Sequence, residues 1–442
     1  MSEAATHEAL WQEVRAQVAA IPEIYGKIDF SSMPERFTVD MSEVSSLRRP
    51  FLDRRQALLA DEDRVDLIKA YTMMGDRVSD AYAALMPRYG FSKLAQMLKS
   101  ACEEGLGAVP EVPPQLRAFL AEMERKPAWL DMDLVSEGAR IERNLFAHLA
   151  PLLIRGGLLA TFMNKYSALP MALTGNFSGS LATRRIFETA TFFTLTVMPG
   201  ALDRHGEAFK AAAMVRLMHS MVRFNVTRRE GAWDSRTYGV PIPQIDQMPA
   251  GLFSAFLLSI EALRKGRKEF TSEERARVEL ARYRCFLLGL PEALLGSTPE
   301  QIVGLMLTRH ATLRKAFDDA TCGALVRGTM AAELSKDHSL SGRIFRRLER
   351  GFSKAFFVRN FADGDPAKAA AIGVPFTFAD RIWAAAAALL TLPKMFAYKL
   401  ASKVGFVRNL ADRRLIQKIE RLLRYYGHAE FVSDAANKPV HA

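Results

Sequence analysis

Arg216-Leu-Met-His219-Ser-Met-Val-Arg223 lies within a longer segment, Ala208 to Phe224, whose apolar residues recur every three or four positions. That spacing is typical of an α-helix with a buried face. Arg216, His219 and Arg223 stand at i, i+3 and i+7, so the pattern predicts that all three project from the same face of one helix. Alternating β-branched runs are scarce, and helical periodicity recurs in Val65 to Met86, Leu134 to Met163 and Leu252 to Lys265. The sequence therefore predicts an all-α fold.

The chain is long enough for more than one domain. Its 442 residues, 25% charged and 49% apolar, are typical of a globular protein with a core able to enclose a cofactor. Clustered prolines at Val109 to Pro114 and a polar break at Asp337 to Gly342 interrupt the helical pattern. We therefore predict an N-terminal helical region (1–115), a central domain (116–325) and a C-terminal helical region (326–442).

Cysteine usage and hydropathy exclude several classes of protein. Cys102, Cys285 and Cys322 are far apart and form no Cys-x-x-Cys pair, which argues against a zinc ribbon, an iron–sulfur site and covalent c-type haem. Charges interrupt every apolar run of the first twenty residues, and no segment reaches the roughly 18 apolar residues of a membrane span. These features predict a cytoplasmic protein.

The positive charge belongs to the C-terminal region. Leu340 to Tyr425 contain 17 Lys or Arg against 6 Asp or Glu, which accounts for the whole net charge of +11. Aromatic and leucine residues mixed with these cations suit a helix in a membrane interface, and Ile382 to Leu392 is apolar over part of a bilayer span. The alternative is a helical subdomain with a solvated basic face. Nucleic acid is not expected, because no nucleic-acid-binding motif accompanies the charge.

The histidine between two arginines suits a metal or haem ligand. Iron coordination needs a neutral imidazole, and nearby guanidinium groups disfavour protonation of His219 while offering partners for carboxylates such as haem propionates. Taken alone, a histidine in a Met-rich amphipathic helix also fits a hydrogen-bonded core or boundary residue.

Several separated motifs, in order, resemble the catalytic domain of the latex clearing proteins (rubber oxygenases) and MpaB-type oxygenases. Arg216-x-x-His219-x-x-x-Arg223 and Arg185-x-x-Glu188-Thr189 resemble the two haem-facing helices. Three further stretches are similar to the domain opening, the following loop and a later helix end: Pro127 to Asp131 with Gly138, Trp233 with Tyr238 to Asp246, and Leu287 to Leu295.

The resemblance implies an all-α, globin-like helical haem domain with additional N-terminal and C-terminal helices. It implies non-covalent haem b with His219 as proximal ligand, Arg216 and Arg223 flanking the ligand helix, and Arg185 and Thr189 on the distal side. It further implies that O2 attacks an apolar, unsaturated, isoprenoid-like substrate.

The sequence departs from the family at two places. Glu188 stands where latex clearing proteins can present a distal lysine, and it suits either proton transfer or an ion pair with Arg185. The expected neighbourhood of their acidic base, Tyr166 to Pro170, holds no carboxylate.

Three hypotheses about function follow. The first is a haem b-dependent oxygenase, whose basic C-terminal region could in addition contact a membrane. The second is a non-catalytic haem-binding or redox-sensing protein. The third is a helical interaction protein that has lost haem.

Overall fold

The protein is all-α, as the sequence predicted. The computed structural model describes residues 3–175, 180–335 and 337–427, and within them the only β pairing consists of two isolated bridges, Phe37 with Leu313 and Ser45 with Arg314. The helices, in chain order, are α1 (Glu3–Ala20), α2 (Pro22–Tyr25), α3 (Arg55–Leu59), α4 (Glu62–Thr72), α5 (Arg77–Ala83), α6 (Met86–Tyr89), α7 (Phe91–Glu103), α8 (Pro114–Glu124), α9 (Met132–His148), α10 (Ala150–Thr161), α11 (Lys165–Leu173), α12 (Ser180–Leu195), α13 (Glu207–Arg228), α14 (Ser235–Tyr238), α15 (Gln244–Arg264), α16 (Ser272–Leu287), α17 (Pro299–Thr312), α18 (Ala324–Ala331), α19 (Leu340–Phe361), α20 (Pro366–Ala371), α21 (Phe378–Ala401) and α22 (Gly405–Tyr426).

The helices form two compact units. The first contains the described residues of Met1–Gly138 together with Gly200–Ala316, and the second contains Ala139–Pro199 together with the described residues from Phe317 onwards. This division differs from the three consecutive segments 1–115, 116–325 and 326–442 predicted from the sequence. The N-terminal helices pack on helices from the middle of the chain. Breaks in the helical pattern, such as proline clusters, therefore do not mark the boundaries of the compact units.

α13 is the central helix of the first unit. It packs against α2, α5, α7 and α16, and most of its side chains are buried on every side. In the same unit α15 packs against α16, α17 and α4. A smaller apolar cluster of this unit contains Leu47, Leu58, Val303, Leu307 and Ala311. Burial all round explains why the α13 segment combines apolar residues with arginines that need partners inside the protein.

α10, α19 and α21 form the main packing layer of the second unit. Gly156 allows α10 to approach α19, because a Cβ atom at this position would lie 2.5 Å from the carbonyl oxygen of Ser353. Arg155 and Glu349 pair at 2.9 Å between the same two helices, both almost fully buried. A buried cluster that includes Leu159, Phe162, Ile186 and Phe357 completes this core.

Local signals fix the start of α21. The Thr377 side chain accepts a hydrogen bond from the backbone N–H of Asp380, and the Asp380 carboxylate accepts one from the N–H of Thr377, which is a capping box. The helix continues for 24 residues. None of the helices in the described part of the chain is long and apolar enough to cross a membrane.

Candidate functional site

Arg216 lies at the centre of a buried ion-pair cluster in the first unit. Its guanidinium donates to both carboxylate oxygens of Asp76, at 2.7 Å each, and to Glu122 at 2.6 Å. The Phe119 ring lies under the same guanidinium, 4.9 Å away. Gly289 is needed beside this pair, because it has φ +85° and a Cβ atom there would lie 2.7 Å from Nε of Arg216. The glycine of the Leu-Leu-Gly289 motif therefore serves the packing of Arg216.

Arg223 forms a second buried pair about two turns further along α13. Its Nε lies 2.8 Å and 3.0 Å from the two oxygens of Asp80, and Nη1 donates to the carbonyl of Ile242 at 2.9 Å. Tyr25 donates a hydrogen bond to the same Asp80 carboxylate. Arg216 and Arg223 are 1% and 0% exposed, so these pairs replace water entirely.

The two buried carboxylates have shifted pKa values of opposite direction. Burial opposes ionisation of Asp76, but the charge of Arg216 and its hydrogen bonds outweigh burial and lower the pKa of Asp76. Burial raises the pKa of Asp80, and the nearby charge of Asp76 adds to this although Arg223 opposes it. Burial and the neighbouring Asp80 raise the pKa of Tyr25 well above its usual value.

His219 contacts a different helix from its two arginine neighbours. The imidazole is half-buried, and its Nδ1 lies 3.2 Å from Oε1 of Gln247 on α15. The Gln247 amide nitrogen donates to Oε1 of Gln244 at 3.1 Å, and Gln244 donates to the carbonyl of Gly75 at 3.2 Å. Because each amide nitrogen in this chain is a donor, Oε1 of Gln247 faces the imidazole as an acceptor. This arrangement favours a proton on Nδ1 of His219.

Arg185, Glu188 and Thr189 lie within little more than one turn of α12, in the second unit. Glu188 accepts hydrogen bonds from Arg184 and Arg185 at 3.0 Å each, so the ion pair predicted from the spacing with Arg185 is present. The Thr189 hydroxyl donates to the carbonyl of Arg185 at 3.1 Å. The Glu188 side chain is 10% exposed and has two cationic partners.

A family model described as "ER-bound oxygenase mpaB/B'/Rubber oxygenase, catalytic domain" matches residues 143–392, more than half of the 442-residue chain. The chain belongs to this family.

A solved structure, latex clearing protein LCP in the closed state, is similar to the chain with a TM-score of 0.57 and 18% sequence identity. The likeness covers 80% of this chain and 91% of that one, and at this identity it shows a shared fold. No curated protein matches the sequence closely enough to count as a relative.

The six residues predicted for the site of an oxygenase of this family fall into two groups. Arg216, His219 and Arg223 share α13, whereas Arg185, Glu188 and Thr189 share α12. Both flanking arginines already have carboxylate partners within the protein, which differs from the expected pairing with haem propionates. Their contribution near His219 is therefore to anchor the helix that carries it.

The residues that sequence reasoning missed are the partners of α13. Asp76 and Asp80 stand at i and i+4 around α5, and this spacing is a usable signal for two carboxylates on one helix face. Nothing in the sequence joins them to Arg216 and Arg223, about 140 positions later. Gln244 and Gln247 lie in the segment Pro243-Gln-Ile-Asp-Gln247, but only the fold brings Gln247 to His219.

Three further histidines, which are not at ligand spacing from His219, are hydrogen-bonded to nearby backbone. Nδ1 of His148 lies 3.1 Å from the carbonyl of Asn144, Nδ1 of His205 lies 3.0 Å from that of Cys102, and Nδ1 of His310 lies 2.7 Å from that of Met306. Among the described residues, no three His, Cys, Asp or Glu side chains group as a metal site. Haem requires only one or two axial ligands, so a lone histidine such as His219 fits that cofactor better than a bare metal ion.

Proposed function

We propose that the chain is a haem b-dependent oxygenase that acts with O2 on an apolar, unsaturated, isoprenoid-like substrate, with His219 as the proximal ligand. The observation that carries the proposal is the hydrogen-bond chain behind His219. Metal-bound histidines commonly donate their second ring nitrogen to an acceptor that fixes tautomer and ring orientation. Gln247 supplies this acceptor, and Gln244 and Gly75 fix the orientation of Gln247.

The residues present fit the cofactor in a second respect. A proximal ligand works only if its helix stays in place, and α13 is fixed on one side by two buried ion pairs to α5 and its N-cap Asp76. Haem, when bound, supplies the iron that activates O2. The protein supplies the neutral imidazole, holds its proton on Nδ1 and keeps the neighbouring arginines neutralised by carboxylates.

We assign Arg185 and Thr189 to the distal side of the proposed site. Arg185 is a fixed cation one turn from Thr189, and its partner Glu188 balances that charge. Glu188 is an acceptor for two guanidinium groups, which supports a role in holding Arg184 and Arg185. Proton transfer through Glu188 would require the release of at least one of these partners.

The experiment that tests the enzymatic part is oxygen uptake by haem-loaded protein with a series of short isoprenoids, beside His219→Ala loaded in the same way. We expect substrate-dependent uptake and carbonyl products from the wild type only. Bound haem without uptake would favour the second candidate, a non-catalytic haem-binding or redox-sensing protein, for which the two-fold pairing of Glu188 is the supporting observation.

We further propose that the protein is cytoplasmic and makes peripheral contact with a membrane through α21. Phe378, Leu389 and Phe396 are 77%, 75% and 63% exposed, and at 100° per residue they lie on one face of the helix. Residues 381–411 hold five Lys or Arg and no Asp or Glu. An exposed apolar stripe flanked by cations suits the interface of an anionic bilayer, which would also supply an apolar substrate.

A further inference from the structure

The second unit contains an apolar cavity of about 490 Å³. Its wall is formed by residues of α10, α12, α19, α21 and α22, among them Leu152, Phe187, Phe345, Leu390 and Leu422. This volume lies in the range of pockets that hold a small organic ligand, and such pockets are usually apolar with a few polar groups that orient the ligand.

The cavity lies on the other side of α12 from the residues assigned to oxygen chemistry. Phe187 lines it and stacks on Tyr426, with ring centroids 5.2 Å apart. At 100° per residue, Phe187 points about 160° away from both Arg185 and Thr189, each two residues distant on the same helix. A ligand in this cavity would therefore not occupy the Arg185 face.

One wall of the cavity carries a cation without an anion. Lys418 lines the cavity and is half-buried, and none of the described residues gives its ammonium group a hydrogen bond or a salt bridge. Burial and the charges of Lys394 and Arg421 lower the pKa of Lys418 to about 8. An ammonium group that is partly removed from water and lies near other cations favours an anionic partner.

Three further polar groups of the cavity already have partners. His148 contacts Asn144 and Tyr398. Burial, followed by the charge of Lys418, lowers the pKa of His148 to about 4, so its ring is neutral near pH 7.

The Asp337 carboxylate, also in the lining, accepts hydrogen bonds from the backbone of Ser339 and from the Ser341 hydroxyl. The Tyr425 hydroxyl donates to the carbonyl of Leu334. Among the charged groups of the cavity lining, Lys418 is thus the one that an anionic ligand would pair with.

We propose that this cavity binds a small amphipathic carboxylic acid, whose hydrocarbon chain packs among the leucine and phenylalanine side chains and whose carboxylate pairs with Lys418. A carboxylate matches the single ammonium as a charge-assisted hydrogen-bond acceptor. The apolar walls suit either a straight-chain fatty acid or a methyl-branched, isoprenoid carboxylic acid. Competition between the two kinds of acid shows which one the cavity prefers. The site is independent of haem and of the proposed oxygenase activity.

The test is displacement of a dansyl-labelled fatty acid from delipidated, haem-free, full-length protein. The competitors are dodecanoic acid, an isoprenoid carboxylic acid of similar length, and dodecanol. We expect saturable displacement by at least one acid below its micellar concentration, and weaker displacement by the alcohol. The ratio of the two acids identifies the preferred chain.

Four variants locate the site. Lys418→Ala should weaken acid binding roughly tenfold or more, because a charge-assisted hydrogen bond is lost, and should leave alcohol binding nearly unchanged. Lys418→Arg should retain most of the acid affinity. Lys403→Ala removes an exposed lysine outside the cavity lining and should have no effect. Leu422→Trp should fill the cavity and weaken both ligands, with circular dichroism to verify the fold.

Three results would overturn the proposal. The first is wild-type protein that binds neither acid. The second is equal acid affinity for wild type and Lys418→Ala, which would remove the proposed ion pair. The third is unchanged affinity in a folded Leu422→Trp protein, which would place the acid elsewhere. Because no haem is present in the assay, none of these results depends on whether His219 binds iron.

Discussion

Nδ1 of His219 on α13 and Oε1 of Gln247 on α15 lie 3.2 Å apart, and the amide nitrogen of Gln247 is held by Gln244. Because the side-chain oxygen of Gln247 is an acceptor, this contact favours the His219 tautomer that carries its proton on Nδ1. The chain of hydrogen bonds ends at the backbone carbonyl of Gly75. Because a carbonyl oxygen can only accept a hydrogen bond, it fixes which atom of each glutamine side chain is the donor. The proposed cofactor chemistry depends on this direction.

The first prediction concerns Gln247. Gln247→Leu removes the acceptor for Nδ1, so haem should bind roughly tenfold more weakly and its reduction potential should become more positive. Gln247→Glu supplies a stronger acceptor and should shift the potential in the negative direction. Haem titration and spectroelectrochemistry measure both effects. Identical potentials in all three proteins would show that Gln247 does not act on the ligand.

The second prediction concerns the buried pair of Asp80 and Arg223. Asp80→Ala leaves an uncompensated guanidinium inside the protein and should lower the free energy of unfolding by about 3–5 kcal/mol. Arg77→Ala is the matched control on the same helix, because Arg77 pairs with Glu13 at the surface and its loss should cost less than about 1 kcal/mol. Urea unfolding measures both. Similar losses in the two variants would contradict the role assigned to the buried pair.

The third prediction concerns pH and His310. Burial, followed by the charge of Arg309, lowers the pKa of His310 to about 3, whereas the unfolded chain binds the proton near pH 6.5. Between these values the unfolded state holds more protons, so stability should fall as the pH is lowered from about 6.5 towards 3. His310→Gln should remove part of this fall, on the order of 1 kcal/mol at pH 5, as measured by urea unfolding. If His310→Gln showed the same pH dependence of stability as the wild type, His310 would not be a source of the acid destabilisation.

The fourth prediction concerns the exposed stripe of α21. Leu389→Glu should reduce sedimentation with vesicles that contain anionic lipid, because a carboxylate opposes both insertion and the surface charge. Ala397→Glu adds the same charge to an exposed position of the same helix outside the stripe and should have a smaller effect. Wild-type protein that does not sediment with anionic vesicles would refute the membrane contact.

Helical periodicity located most of the fold but not its breaks. Ala208 to Phe224 and nearly all of Leu252 to Lys265 lie within α13 and α15, as predicted. The predicted segment Val65 to Met86 divides into α4, α5 and the beginning of α6, because Asp76 caps α5 and also binds Arg216. In the sequence alone, Asp76 looks like one more polar position of a continuous helix, so neither its capping role nor its pairing with Arg216 could be predicted.

The candidate site could be predicted only in part. The spacing of Arg185 and Glu188 gave their ion pair, because both residues lie on one turn. The partners of Arg216, Arg223 and His219 come from other helices, and no local pattern encodes such long-range pairing. For the same reason the sequence suggested haem propionates as partners of the two arginines, whereas the fold supplies Asp76 and Asp80.

The most direct test of the haem proposal is the visible absorption spectrum of the haem-supplemented protein, ferric and dithionite-reduced, beside His219→Ala. We predict a Soret band in the wild type that is lost or strongly altered in the variant. His219→Gln is a useful companion, because it keeps a polar side chain at the position without the imidazole. A spectrum without a Soret band, or one that is identical in wild type and His219→Ala, would contradict His219 as the haem ligand.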